Sequence, residues 1–196
     1  MSEKIIYIIY MIRINFIYLI LLSMALSDTY KEPQYNLIRK DGKIETREYS
    51  EYVIAKTSIE IANIEQNSNM FRVLAGYIFG GNADNQSIAM TAPVITQNDN
   101  SSYDMIFFML NVNDPEDLPI PNNQNIVLEK MQLGKTVTIS FGMWATEKRI
   151  AYYKNKLDAY IRKNDIQVIS PIMVAQYNSP WTIPPFRKNE LIYSIK

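Results

Sequence analysis

The stretch from Phe71 to Val94, FRVLAGYIFGGNADNQSIAMTAPV, restricts the folds open to this chain more than any other. Apolar residues at Met70, Phe71, Leu74, Tyr77 and Ile78 follow the three-and-four spacing of one helical face. Gly80 and Gly81 end that helix, because glycine enters the left-handed conformation of a C-cap without steric cost. Asn82 to Ser87 reads as a solvated loop. Ile88 to Thr96 reads as a strand interrupted at Pro93, which has no amide hydrogen to give to a ladder, so the strand is an edge, bulges or breaks there. A helix stopped this abruptly before a strand docks back on the sheet that the strand joins.

Other elements fall around this unit. Strands are read at Tyr35 to Arg39 and Ile44 to Tyr49, joined at Asp41-Gly42, whose residues both accept the positive φ of a hairpin turn. Tyr52 to Ile59 is a third strand, with Val53, Ala55 and Thr57 on one face and Ile54, Lys56 and Ser58 on the other. Asn67 or Ser68 is placed to cap the first helix. Tyr103 to Leu110, apolar from Met105 onward, reads as a strand buried on both faces. A proline- and asparagine-rich loop from Asn111 to Asn125 divides the chain. Asn125 to Met131 and Thr136 to Trp144 then read as a second hairpin around Leu133-Gly134-Lys135, and Thr146 caps a second helix running to about Lys163.

Gln167 to Tyr177 and Glu190 to Ile195 supply the last strands, separated by a tether from Pro180 to Arg187. Trp181 is expected to pack against the domain, with Pro180, Pro184 and Pro185 holding the tether extended. The order strands, helix, two strands occurs twice. The fold class read from this is α+β: a mainly antiparallel sheet or distorted β-barrel built from two related halves and flanked by two helices.

Composition removes whole classes of chemistry. The chain has no histidine and no cysteine, so disulfides, thiolate metal sites and Ser-His-Asp or Cys-His catalysis are excluded, together with the usual proximal ligand of heme iron. Twenty basic and twenty acidic residues leave no net charge, and nucleic acid is not an expected partner. Carboxylates remain for acid–base work. Glu45 and Glu48, three apart on one strand, point to opposite faces, and the simplest role for Glu190 is an ion pair with Arg47, Arg187 or Lys188. No catalytic or metal-binding residue is assigned, and the chain is not expected to be an enzyme.

Residues 1–27 read as a signal peptide or N-terminal membrane anchor, and 28–196 as the folded domain. Ile5 to Leu26 is almost wholly apolar, broken by Arg13, Asn15 and Ser23. Ser23-Met24-Ala25 and Ala25-Leu26-Ser27 offer the small residues a signal peptidase reads. Met11 opens a more ordinary signal than Met1 does. Export to a periplasm or the exterior is expected, with membrane contact only through this segment.

Four segments carry a resemblance. KIETREYSEYVIA, YIFGGN, IAMTAPV and AQYNSPWTIPPFRKNEL, in that order, resemble the core motifs of the SOUL heme-binding protein family, over about Tyr35 to Lys196. The resemblance implies the same two-halved barrel with flanking helices. It also implies non-covalent binding of heme, another tetrapyrrole or a similar hydrophobic molecule in an apolar groove beside the first helix. The slot residues would be Met70, Leu74, Tyr77, Ile78 and Met90, and the partners for propionates Arg72, Arg187 and Lys188. The histidine ligand assigned in some members has no counterpart, so heme would bind here without one. The domain is expected to be a monomer. A protein-interaction scaffold with no physiological heme, and a small-molecule hydrolase using carboxylates, are the alternatives.

Overall fold

The computed structural model describes residues 9–15, 30–60, 69–99 and 101–196. Residues 9–15 are helical. The rest of the segment expected to be a signal peptide or anchor lies outside the described residues, as do Asn67 and Ser68. Among the described residues no helix is long and apolar enough to cross a membrane.

The described strands are β1 (Tyr35–Asp41), β2 (Ile44–Tyr49), β3 (Glu51–Glu60), β4 (Val94–Asn98), β5 (Ser102–Phe108), β6 (Ile126–Gln132), β7 (Lys135–Phe141), β8 (Met173–Gln176) and β9 (Asn189–Ser194). Helix α1 (Met70–Ile78) lies between β3 and β4, and α2 (Glu147–Lys163) between β7 and β8. Every pairing between these strands is antiparallel, in the order β1-β2-β7-β9-β8-β4-β5-β3-β6.

That order contains the two halves. β4-β5-β3 carries α1, and β8-β9-β7 carries α2, with the same placement of strands before and after the helix. The halves are joined at β4–β8 and by one long ribbon. β2 runs into β3 through Ser50, β6 runs into β7 through Leu133-Gly134, and the two runs pair with each other without a register slip. Glu48 faces Lys135 on one side of the junction and Glu51 faces Gln132 on the other. Tyr49 N donates to Gly134 O at 2.9 Å between them. The ribbon therefore belongs to both halves, and the sheet curls into a half-barrel.

This corrects the hairpin expected at Leu133-Gly134-Lys135. Gly134 has the positive φ of a tight turn, +60°, yet β6 pairs with β3 and β7 with β2 and β9. The β1–β2 hairpin does form, but Asp41 pairs with Ile44, so its two loop residues are Gly42 and Lys43 in place of Asp41-Gly42, and only Gly42 takes a positive φ. The strand expected from Ile88 begins only at Val94. The chain before it makes an isolated bridge from Thr91 to Lys31, and Pro93 has no hydrogen to extend the ladder.

Alternation in the strands separates three apolar layers. Val53, Ala55, Met105 and Phe107 face α1, and Ile54, Ile106 and Phe108 face the other way, into the curl of the sheet. β5 is thus buried on both faces, as its continuous apolar run predicts. Inside the curl those residues meet Ile95, Ala175 and Ile192, which joins the two halves. Val137, Ile139, Phe141 and Leu191 pack against Leu157 of α2. Thr146 caps α2 by accepting from Arg149 N at 3.4 Å, whereas Asn69 at the start of α1 makes no side-chain cap bond.

Candidate ligand cavity

Helix α1 buries one side completely. Met70, Leu74, Tyr77 and Ile78 are all core residues, packed with Val53, Ala55 and Phe107. Phe71 and Phe79, two turns apart, lie off that stripe and remain exposed. Phe79 is 71% exposed because the helix ends under it. Gly80 takes a φ of +104°, and Gly81 N donates to Gly76 O at 2.8 Å. Ile88 N then donates to Ile78 O at 2.7 Å, which turns the chain back along the helix flank.

The returning segment, the C-terminal end of β8 and the first residues of the domain enclose an apolar cavity of about 370 Å3. Its walls include Tyr30, Phe71, Phe79, Met90, Ala92, Val94, Tyr177 and Pro180. The volume lies inside the roughly 300–1,000 Å3 range of small-molecule sites. A larger and more open groove of about 780 Å3 runs along the other flank of α1, where Val73 and Tyr77 are joined by amides and a cation: Asn69, Arg72, Asn122, Asn123, Gln124 and Asn125. An apolar ligand is matched by the first cavity and not by the second.

The residues expected from the sequence divide between these places. Met90 lines the apolar cavity, whereas Met70, Leu74 and Ile78 are buried core with no face on it. Tyr77 is also core, its hydroxyl donating to Pro119 O at 2.9 Å, and only its edge reaches the amide groove. Arg72 lines that amide groove and so stands apart from the cavity.

Arg187 is buried and engaged. Its guanidinium donates to the carbonyls of Thr182, Ser179 and Pro180 and lies 3.6 Å from the Trp144 ring centroid, so it clamps the tether and burial lowers its pKa. Lys188 does not line the cavity but stacks on one of its walls. Its Nζ sits 3.7 Å from the centroid of the wall residue Tyr177 and 2.9 Å from the Glu32 carboxylate. Of the three expected cations, then, Lys188 touches a wall ring and is paired with Glu32, Arg187 holds the carbonyls of the wall residues Ser179 and Pro180, and Arg72 lies on the other groove.

Tyr177 links the wall to a buried charge network. Its hydroxyl donates to Glu190 Oε2 at 2.5 Å, and Arg47 donates to both Glu190 oxygens, at 2.8 and 2.7 Å. Arg47 also reaches Glu45 at 2.8 Å and Tyr49 Oη at 3.0 Å. Burial works against the Arg47 charge, but the bonds and charge of Glu190 outweigh it and hold the guanidinium protonated. Burial, reinforced by Glu190, raises Tyr177 well above the ordinary phenol range, and burial lifts Tyr49 to about 12.

This bears on heme. The cavity offers apolar and aromatic walls for a ring, but Tyr177 is held as a neutral phenol and cannot serve as a tyrosinate ligand. Met90 supplies a thioether, a soft and weak donor. The walls have the apolar and aromatic chemistry that a porphyrin ring needs and offer an iron no strong side-chain ligand among the residues discussed.

A model of the SOUL heme-binding protein family matches residues 30–194. The chain belongs to that family. No curated protein matches it. The SOUL domain is similar in fold to several solved structures. One is a hydrolase from Listeria innocua, at 9% identity and a TM-score of 0.55, covering 81% of this chain and 94% of that one. Another is the EcmrR C-terminal domain, at 12% identity and a TM-score of 0.59, covering 83% and 98%. At such identities the likeness is of fold.

Three features of the SOUL domain lie outside the sequence expectations. Phe79 is a wall residue because it falls off the buried stripe, a signal present in the helical spacing, and Phe71, expected on the buried face, is exposed and joins it. Tyr30 lies upstream of every motif and carries no local signal. Asn82, expected in a solvated loop, is buried: Nδ2 donates to the Tyr77 and Gln86 carbonyls and Oδ1 accepts from Gln86 N.

Proposed function

We propose that this SOUL domain binds a flat hydrophobic ligand of the tetrapyrrole class, non-covalently, in the cavity between Phe71, Phe79, Met90 and Tyr177. The supporting observation is the cavity itself: an aromatic-walled space on the flank of α1, in a family described by heme binding. Apolar contact with the ring supplies the affinity, and a peripheral carboxylate would take the place of Glu32 on Lys188, beside the wall residue Tyr177.

The hydrolase reading draws on the name of a fold neighbour and on the remaining carboxylates. Glu190 is the most buried of these, and both its oxygens are occupied by Arg47 and Tyr177. A carboxylate held in this way is a structural anchor, which favours a binding protein over an enzyme.

Hemin titration followed by absorption spectroscopy tests the proposal. The full chain should show a saturable Soret change, and Phe79→Glu, at an exposed position, should weaken it at least about tenfold, or ~1.4 kcal/mol. A response equal to that of an unrelated protein would remove the tetrapyrrole reading.

A further inference from the structure

We infer that the cavity face of the domain rests on a lipid bilayer, with Phe79, Trp181 and Ile183 at the headgroup level. Three features converge on this face, the second and third of them both carried by the N-terminal segment.

The first is exposure. Phe79 is 71% exposed and Trp181 91% exposed, the latter against the expectation that it packs inward; Phe71, Ile183 and Phe186 are exposed as well. Phe71, Phe79 and Pro180 line one cavity, and Trp181 follows Pro180 directly, so the backbone of Trp181 starts at the rim of that cavity. Tryptophan and other amphipathic rings favour the bilayer–water boundary.

The second is the N-terminal run. Ile9, Tyr10, Met11, Ile12 and Ile14 are helical and exposed, with no apolar side turned into the domain. Exposed apolar side chains on this stretch, interrupted by Arg13 and Asn15, call for a covering phase, and a bilayer supplies one.

The third is the tether between them. The apolar run ends at Leu26, and Tyr30 is already part of the cavity wall. Four residues of extended chain span at most about 14 Å. Where the segment is retained and its residues up to Leu26 sit in lipid, the wall containing Tyr30 is held within that distance of the surface, whatever path the intervening residues take. The apolar mouth then opens towards the phase in which a hydrophobic ligand partitions. Docking does not depend on the ligand being a tetrapyrrole.

The chain has no cysteine, so single thiols can be placed at will. Full-length Phe79→Cys, Trp181→Cys and Lys43→Cys, each carrying an environment-sensitive fluorophore, are mixed with phosphatidylcholine vesicles. Lys43 is exposed beside the β1–β2 turn, at the end of β2 remote from Tyr49, whose core cluster includes Tyr30. Labels at 79 and 181 should shift to the blue, brighten at least twofold and be quenched by lipids brominated near the headgroup. The label at 43 should keep its aqueous emission.

Three results would overturn the inference: vesicle-bound protein whose 79 and 181 labels stay aqueous, an equal shift at 43, or a shift that follows protein concentration without vesicles and so marks a second copy. Protein that does not float with the vesicles at all would overturn it too. Hemin binding is read separately in the absence of vesicles, so failure of one reading does not imply failure of the other.

Discussion

Glu190 and Arg47 form the most heavily committed polar contact of the domain. With Glu190 1% exposed, removing one partner leaves the other charge buried without compensation. Glu190→Ala should therefore destabilise the protein by about 3–5 kcal/mol, read from its denaturant midpoint. The sequence supported an ion pair for Glu190 but left three cations open, because strand pairing decides which one arrives. The same limit applies to Arg187: its role as a clamp depends on carbonyls of the tether, which local pattern does not reveal. Trp181 errs in the opposite direction. An aromatic ring between prolines suggests packing, yet three carbonyls held by Arg187 fix the tether and leave the ring outside. Trp181→Ala should change stability by no more than ~0.5 kcal/mol, and a clear fall in Tm would show that the ring packs after all.

The glycines of α1 separate helix propensity from steric need. Gly76 is helical and exposed, and a Cβ there meets nothing within 4 Å. Gly76→Ala should stabilise the protein by about 0.4–1 kcal/mol, mainly by restricting the unfolded chain. At Gly81 a Cβ would fall 2.6 Å from Gly76 O, backbone that cannot swing aside. Gly81→Ala should cost about 1–3 kcal/mol, so paired thermal melts of the two variants should move in opposite directions. Shifts of the same sign would contradict this account of the helix end. Elements of this kind were legible because their causes are local: apolar spacing, a glycine stop, the Thr146 cap, the β1–β2 turn at Gly42. The partner of β6 was not legible. Gly134 carries an ordinary turn signal, and only the constant register of the long ribbon between the halves shows that the chain passes straight through it.

Across the molecule, the two-halved architecture follows from the repeated element order, and the family motifs agree with it. The cavity was less accessible to sequence reasoning, because its walls come from Tyr30, from the flank of α1, from the segment before β4 and from the tether after β8. Residues that share one wall are up to about 150 positions apart, and their meeting follows from the β4–β8 pairing of the halves. The buried stripe of α1 drew attention to core residues, while the wall lay on the flank beside it. The central claim is that these walls hold a tetrapyrrole by its ring and not through its iron. Paired titrations with hemin and metal-free protoporphyrin, followed by quenching of Trp144 and Trp181, test it directly. Affinities within about tenfold of each other, a difference of ~1.4 kcal/mol or less, are predicted. Hemin binding a hundredfold or more tighter than the metal-free ring would reveal a strong axial ligand and contradict the account.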